Sequence, residues 1–129
     1  LITGDGELAE GSNWEAALAA AHYGLDNLVI INDKNNLQLA GPTREIMNTD
    51  PLADKWRAFG MAVSECEGND MASVVAAIEG LKQEGKPNVI IANTTKGAGI
   101  SFIQGRPEWH HRVPKGEEIA LALEELKDE

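Results

Sequence analysis

The sequence predicts an α/β fold with a mainly parallel sheet flanked by helices. Three observations predict it. Apolar segments with strand character alternate with segments of helical periodicity along the chain. The clearest strands are continuous apolar runs, which are typical of parallel strands covered on both faces. The chain has 129 residues and no repeats or linkers, so we expect one domain over residues 1–129.

The first half of the chain begins with a short strand and a long helix. Ser12 and Glu15 form a capping-box pattern that marks the start of this helix. Apolar residues at helical spacing predict its buried stripe, namely Trp14, Leu18, Ala21 and Leu25. The predicted elements are a strand at 1–3, a helix at about 13–25, a strand at 28–31, an irregular turn at 35–42 and a short helix at 52–59.

The second half continues the alternation and ends in a long loop and a helix. A second helical stripe consists of Met71, Val74, Val75, Ile78 and Leu81, and Gly85 with Pro87 is expected to end that helix. A loop as long as residues 94–114 is usually functional or disordered. The predicted elements are a strand at 61–66, a helix at about 71–84, a strand at 89–92, the loop, and a helix at about 117–127.

Composition excludes several classes of protein. The single cysteine, Cys66, excludes a disulfide-stapled scaffold and is expected to be a buried core thiol. The net charge of −10 argues against nucleic acid or an anionic membrane as partner. No apolar run approaches about 18 residues, so we expect no membrane span and a cytoplasmic location. The last helix has a solvated acidic face, formed by Glu117, Glu118, Glu124, Glu125, Asp128 and Glu129.

Polar residues follow the first two strands and indicate a metal and phosphate site. Gly4 and Gly6 let the backbone approach a ligand while Asp5 presents a carboxylate. The Asn35 amide and the Leu37 carbonyl follow the next strand, and oxygen ligands of these kinds suit Mg²⁺. Carboxyl ends of parallel strands share one edge of the sheet, where ligands bind. The alternative is that both segments are only turns.

The long loop carries a second group of candidates. Lys96, beside Gly97, offers a cation and exposed backbone to a phosphate, and His110 can exchange a hydrogen bond with a polar substrate. A solvated lysine and surface histidines are the alternatives, and the spacing of His110, His111 and Cys66 fits no common zinc site. Glu10, at a helix start, suits either capping or a hydrogen-bond relay.

These residues resemble the transketolase family over nearly the whole chain. The sequence is similar to the amino-terminal subunit of bacterial split transketolases, in which diphosphate-binding and pyrimidine-binding halves are separate chains. The resemblance rests on Gly4-Asp5-Gly6-Glu7-Leu8-Ala9-Glu10-Gly11-Ser12, Trp14-Glu15-Ala16, Leu25-Asp26-Asn27-Leu28, Asp33-Lys34-Asn35-Asn36-Leu37-Gln38, the segment 50–60, Lys96-Gly97-Ala98-Gly99-Ile100-Ser101-Phe102 and Glu108-Trp109-His110.

The resemblance implies a fold, cofactors and roles. The fold would be that of a thiamine-diphosphate-binding domain. Asp5, Asn35 and the Leu37 carbonyl match the divalent-metal ligands (Mg²⁺, or Ca²⁺ or Mn²⁺). Positions that bind thiamine diphosphate are matched by Gly4, Asp5, Gly6, Asn35, Lys96 and His110. The catalytic residues implied are His110, which touches cofactor and sugar, and Glu10, in a relay across the dimer interface.

The implied activity is transfer of a two-carbon ketol unit from a ketose phosphate to an aldose phosphate, in a homo- or hetero-oligomer. The pyrimidine-binding domain has no counterpart here, and the family's first segment has none before Leu1. We therefore expect a partial domain that is inactive alone and needs a pyrimidine-domain partner. His111 and Arg112 depart from many full-length members but suit the split type. The alternatives are a synthase of the deoxyxylulose-phosphate type and a non-catalytic α/β binding module.

Overall fold

The protein is described by a computed structural model that covers residues 1–82 and 84–127. Two 3₁₀ helices occur at Glu7–Ala9 and Pro107–His110. The strands are β1 (Ile2–Gly4), β2 (Val29–Lys34), β3 (Leu37–Gln38), β4 (Gly41–Pro42), β5 (Ala62–Glu67) and β6 (Asn88–Asn93). The α-helices are α1 (Gly11–His22), α2 (Thr43–Ile46), α3 (Leu52–Ala58), α4 (Met71–Glu79) and α5 (Glu117–Glu125).

A parallel sheet forms the centre of the fold, with strand order β1-β2-β6-β5. Strands β3 and β4 pair separately as a short antiparallel hairpin. Asp33 in β2 lies between Gly4 of β1 and Ala92 of β6, so the polar ends of β1 and β2 meet at one edge. This arrangement confirms the predicted α/β fold with a mainly parallel sheet.

Helices cover the two faces of the sheet and create two apolar clusters. One face packs against α1 and α3, and its buried residues are Leu8, Ala17, Ala20, Ile30, Leu52, Trp56, Met61, Val89 and Ile91. The other face packs against α4, through Cys66, Ile90 and Ala92. Cys66 is a buried free thiol, as predicted, and burial raises its pKa. Residues on both faces of β6 are buried, which explains why its sequence is a continuous apolar run.

Helix α1 differs from its prediction in bounds and in buried face. It begins at Gly11, with Glu10 at the N-cap position, and among the described residues no side chain caps it, so the capping box of Ser12 and Glu15 is wrong. Leu18 is 58% exposed, whereas Ala17 and Ala20 are buried. Alanine is selected at the contact because small side chains let a helix approach the sheet closely. Of the predicted stripe, Trp14 packs against the core cluster, whereas Leu18 does not.

The segment after β2 is more ordered than predicted. Strand β2 continues through Lys34 instead of ending at Ile31, because its polar residues pair with Ala92 and Asn93 of β6. Residues 35–42 contain the β3–β4 hairpin, so the prediction of an irregular turn is wrong. The hairpin places Leu37 and Gln38 beside the end of β1.

Helix α4 ends earlier than predicted. Its last residue is Glu79, and the C-cap is Gly80, whose N–H donates to the Ala76 carbonyl at 3.0 Å, and not Gly85 with Pro87. Glycine has poor helix propensity, and the Asn88 side chain donates to the Lys82 carbonyl at 2.9 Å, so the chain leaves the helix there. Only part of the predicted stripe packs on the sheet, since Met71, Val75 and Ile78 are exposed.

The carboxyl-terminal helix is also shorter than predicted, since α5 ends at Glu125. Two members of its predicted acidic face, Asp128 and Glu129, lie outside the described residues. Short helix α3 ends one residue before its predicted limit. In the part of the chain that the structure describes, no helix is both long enough and apolar enough to cross a bilayer.

Candidate functional site

A cavity of about 440 Å³ opens at the carboxyl ends of β1 and β2, where ligands bind in parallel sheets. It brings together residues from three segments that are distant in the sequence. Those predicted from sequence that line it are Gly4, Asp5, Gly6, Asn35, Leu37, Lys96 and His110. The predicted metal group and the predicted phosphate group therefore face one space.

Asp5 is the buried carboxylate of this cavity. Its residue is 3% exposed, and its Oδ2 accepts a hydrogen bond from the Asn36 N–H. Burial raises the pKa of Asp5, the nearby negative charge of Asp33 raises it further, and the bond from Asn36 opposes both. A buried carboxylate whose ionised form is disfavoured gains from a bound cation, which restores the charge balance.

A sharp turn presents the other two metal-ligand candidates. Asn35 Oδ1 accepts from the Leu37 N–H at 2.9 Å, and Asn36 adopts a left-handed conformation with φ of 61°. Asparagine tolerates that conformation better than most residues. The turn places the Asn35 amide and Leu37 on the cavity wall with Asp5.

These groups fit a hard divalent cation. A carboxylate, an amide oxygen and a main-chain carbonyl are the oxygen donors that Mg²⁺ and Ca²⁺ prefer, and Asn35 Oδ1 retains a second lone pair. Within residues 1–82 and 84–127, no three His, Cys, Asp or Glu side chains cluster as metal ligands.

The two glycines around Asp5 serve different purposes. A Cβ on Gly6 would lie 2.8 Å from Gln38 Cβ, so this glycine permits the hairpin to pack against the β1 turn. A Cβ on Gly4 would meet no atom within 4 Å. Because Gly4 lines the cavity, its hydrogen keeps space free for a ligand.

The loop after β6 brings Lys96 and His110 to the same cavity. The Lys96 carbonyl accepts from the Gly105 N–H at 2.8 Å, which closes the loop between them. His110 ends the 3₁₀ helix Pro107–His110, whose Trp109 is 8% exposed. Trp109 packs edge-on against Phe102, and the Arg112 guanidinium lies 4.1 Å from its ring centroid. Buried Trp109 thus anchors the turn that presents His110.

Glu10 is the predicted catalytic residue that lies apart from this cavity. It occupies the N-cap position of α1 and is exposed, and its side chain does not cap the helix. Its role in a relay stays a prediction, because such a relay needs a partner chain. His111, adjacent to His110, is also exposed.

Sequence reasoning missed several cavity residues, which are Glu7, Asp33, Gln38, Leu39 and Pro107. No periodic signal marks them in the sequence, because the chain turns sharply at Asn36 between β2 and β3. The residues that line the cavity include three acidic ones, Asp5, Glu7 and Asp33, and one lysine, Lys96. When ionised, these side chains carry a formal charge of −2, so the cavity favours a cation together with any anion it binds.

The fold and the cavity define a class: a parallel α/β domain with a polar cavity at the carboxyl ends of its strands, lined by acidic and amide side chains and a lysine. Comparison with known proteins identifies the family. The family described as "Transketolase, thiamine diphosphate binding domain" matches residues 1–127. The chain belongs to the transketolase family, in this domain. The resemblance found from sequence motifs is confirmed, and so is the thiamine-diphosphate-binding fold.

Relatives indicate the split type of transketolase. The chain is 72% identical over 129 residues to a subunit of apulose-4-phosphate transketolase from Actinobacillus succinogenes, covering 100% of this chain and 47% of that protein. It is 43% identical over 129 residues to "6-deoxy-6-sulfo-D-fructose transketolase subunit SqwG" of a Clostridium species, covering 99% of this chain and 47% of that protein. The chain thus spans about half the length of these relatives.

A solved structure supports the assignment to the transketolase family. Transketolase from Campylobacter jejuni superposes with a TM-score of 0.88 at 32% sequence identity, covering 95% of this chain and 19% of that chain. The described elements therefore correspond to one portion of a much longer transketolase.

Proposed function

We propose that this chain is the diphosphate-binding part, residues 1–129, of a split transketolase. With a pyrimidine-domain partner, the protein transfers a two-carbon ketol unit from a ketose phosphate to an aldose phosphate. One observation carries the proposal: in a chain of this family, Asp5, Asn35 and Leu37 share a cavity with Lys96 and His110. Oxygen donors and a cation thereby face the same ligand.

The chain's own residues divide the work of binding. Asp5, Asn35 and the Leu37 carbonyl would hold Mg²⁺, or Ca²⁺ or Mn²⁺, whose positive charge would offset that of the acidic residues and favour a diphosphate. Lys96 pairs with diphosphate oxygens, while Gly4 and Gly6 let the backbone approach. Thiamine diphosphate, when bound, supplies the carbanion chemistry that a protein side chain cannot.

His110 and Glu10 are proposed to control protons and orient the substrate. His110 lines the cavity, so its imidazole can hydrogen-bond both cofactor and sugar hydroxyls. Glu10 is exposed at the start of α1, where a second chain can contact it. We place it in a relay that crosses the interface between chains.

Partners and substrates follow from the relatives. The relatives that are named as single subunits of a transketolase support a second chain, and we propose that this partner carries the pyrimidine domain in a homo- or hetero-oligomer. The relative at 72% identity is named for apulose 4-phosphate, which supports a sugar phosphate as substrate. We propose a cytoplasmic enzyme of sugar-phosphate metabolism, related to the pentose phosphate pathway, with no nucleic-acid or membrane partner.

Calorimetry of Mg²⁺ and thiamine diphosphate binding tests the site. In the full-length protein, Asp5→Ala should abolish measurable cofactor binding, because one metal carboxylate is lost from a buried position. Asp54→Ala is the matched control, since Asp54 is an exposed carboxylate in α3 that pairs with Arg57. Equal binding by Asp5→Ala and the control would contradict the assignment.

Activity is tested by adding the pyrimidine-domain partner and measuring ketol transfer between sugar phosphates. Transfer that requires both chains supports the split transketolase. Cofactor binding without transfer favours the non-catalytic module. Formation of a deoxyxylulose phosphate from pyruvate and a triose phosphate would favour the synthase instead.

A further inference from the structure

Asp33 is a cavity carboxylate to which the binding scheme above gives no role. It lies in β2 between Gly4 and Ala92 and lines the cavity beside Asp5. Its Oδ1 accepts a hydrogen bond from the Thr94 hydroxyl, which joins the ends of β2 and β6.

Thr94 is the first residue of the loop that carries Lys96. Besides its hydroxyl, its backbone N–H donates to the Lys34 carbonyl at 3.0 Å. The next N–H, of Thr95, donates to Asn69 Oδ1 at 2.6 Å. The backbone leading to Lys96 is thus tied to the sheet and its loops by three polar contacts. Of the three residues that accept them, Asp33 lines the cavity.

The position of the Lys96 ammonium depends on this start of the loop. Further along the loop, the Gly105 N–H donates a hydrogen bond to the Lys96 carbonyl. This bond joins two residues of the loop and connects neither of them to the sheet. The Thr94–Asp33 bond connects the loop to β2, and Asn35, a proposed metal ligand, directly follows that strand. It therefore couples the cation side of the cavity to the metal side.

We propose that Asp33 and Thr94 form a positioning pair that holds Lys96 at the diphosphate site, and that this pair sets the affinity for thiamine diphosphate. The inference rests on the proposed function and adds two residues to it. Neither residue is a metal ligand in this scheme, and both act through Lys96. Asp33 accepts the bond as a carboxylate, which makes it stronger than a bond between neutral groups.

Thr94→Val and Thr94→Ser form the central comparison, because valine has the shape of threonine without the hydroxyl and serine keeps it. Thiamine diphosphate binding is measured by calorimetry in saturating Mg²⁺ on the full-length protein. Thr94→Val should weaken binding about tenfold or more, as expected for losing a hydrogen bond to a charged group, and Thr94→Ser should stay within about twofold. Failure of serine to rescue binding overturns the proposal.

Combination with Lys96→Met separates positioning from general loss of structure. If the pair acts through Lys96, Thr94→Val causes no further loss of affinity once Lys96 is replaced. Losses that multiply in the double variant overturn the proposal. Thermal unfolding of each ligand-free variant accompanies the cycle, and a melting temperature lowered in proportion to affinity also counts against positioning.

Asp33→Ala supplies a second test should Thr94→Val fail to fold, and Asp26→Ala is its matched control. The Asp26 carboxylate also accepts a hydrogen bond, from the Gly85 N–H at 3.2 Å, but it precedes the amino-terminal end of β2, whereas the cavity lies at the carboxyl end. Asp33→Ala should weaken cofactor binding and Asp26→Ala should not. Equal binding of thiamine diphosphate by the two variants overturns the proposed positioning pair but not the proposed function. A wild-type protein that binds no thiamine diphosphate overturns both.

Discussion

Replacing Gly6 by alanine perturbs one close contact between the β1 turn and the β3–β4 hairpin. The added Cβ would lie 2.8 Å from Gln38 Cβ and 3.7 Å from Gln38 Cα. Carbon atoms in contact normally lie about 3.5–4.0 Å apart, so the hairpin must move by roughly 0.7 Å. Overpacking of this kind costs about 1–3 kcal/mol. The Gly6 backbone, at φ −66° and ψ −33°, suits alanine, which returns about 0.4–1 kcal/mol through the unfolded state.

The expected net loss of unfolding free energy for Gly6→Ala is therefore about 0–2.6 kcal/mol, or roughly 1.3 kcal/mol from the midpoints of the two ranges. Gly4→Ala is the matched control, because its Cβ meets no atom within 4 Å. It has no overpacking cost and the same gain through the unfolded state, so the ligand-free protein should be at least as stable as wild type. Urea denaturation followed by tryptophan fluorescence measures both. Calorimetry should show weaker cofactor binding in both variants. Gly6→Ala displaces the hairpin that lines the cavity, and Gly4→Ala fills cavity space that the ligand needs. Equal stability of the two variants would refute the packing argument.

Three further predictions concern charge and core packing. Burial raises the pKa of Asp5, so the folded ligand-free chain holds the proton of this carboxyl group more tightly than the unfolded chain does. The free energy of unfolding therefore falls as the pH rises through the raised pKa. Asp5→Asn should therefore raise the melting temperature at pH 7, measured by calorimetry, while removing Mg²⁺-dependent binding. The Ser101 side-chain hydroxyl and backbone N–H donate hydrogen bonds to Glu125, and these bonds lower the pKa of that carboxyl group. Their contribution to stability is therefore lost as the pH falls through the lowered pKa. Ser101→Ala removes the hydroxyl and should raise the pKa of Glu125 in an NMR titration. Ile91→Ala, at a residue 1% exposed, should reduce the unfolding free energy by about 2–5 kcal/mol in urea denaturation.

Much of the fold was predictable because it depends on local pattern. Strand β6 is buried on both faces and β2 is buried on one face and half-buried on the other, and their apolar runs indicate strands of this kind. The same pattern places Asp5, Asn35 and Lys96 after strands, and a parallel sheet necessarily collects such residues at one edge. Helix α1 was harder, because its contact with the sheet uses Ala17 and leaves Leu18 in solvent. Hydrophobic periodicity weights large side chains, whereas close packing selected small ones.

By itself, the sequence determined the class of fold, the family and the chemical groups of the site, since motifs and periodicity are properties of neighbouring residues. Only the tertiary structure decided which groups touch. Asp33 and Thr94 are 61 residues apart along the chain, and the register of β2 against β6 makes them partners. Gly6 and Gly4 look alike in sequence, and a hairpin packed against one of them makes them different. Contacts of this kind arise from long-range pairing, which no local pattern encodes.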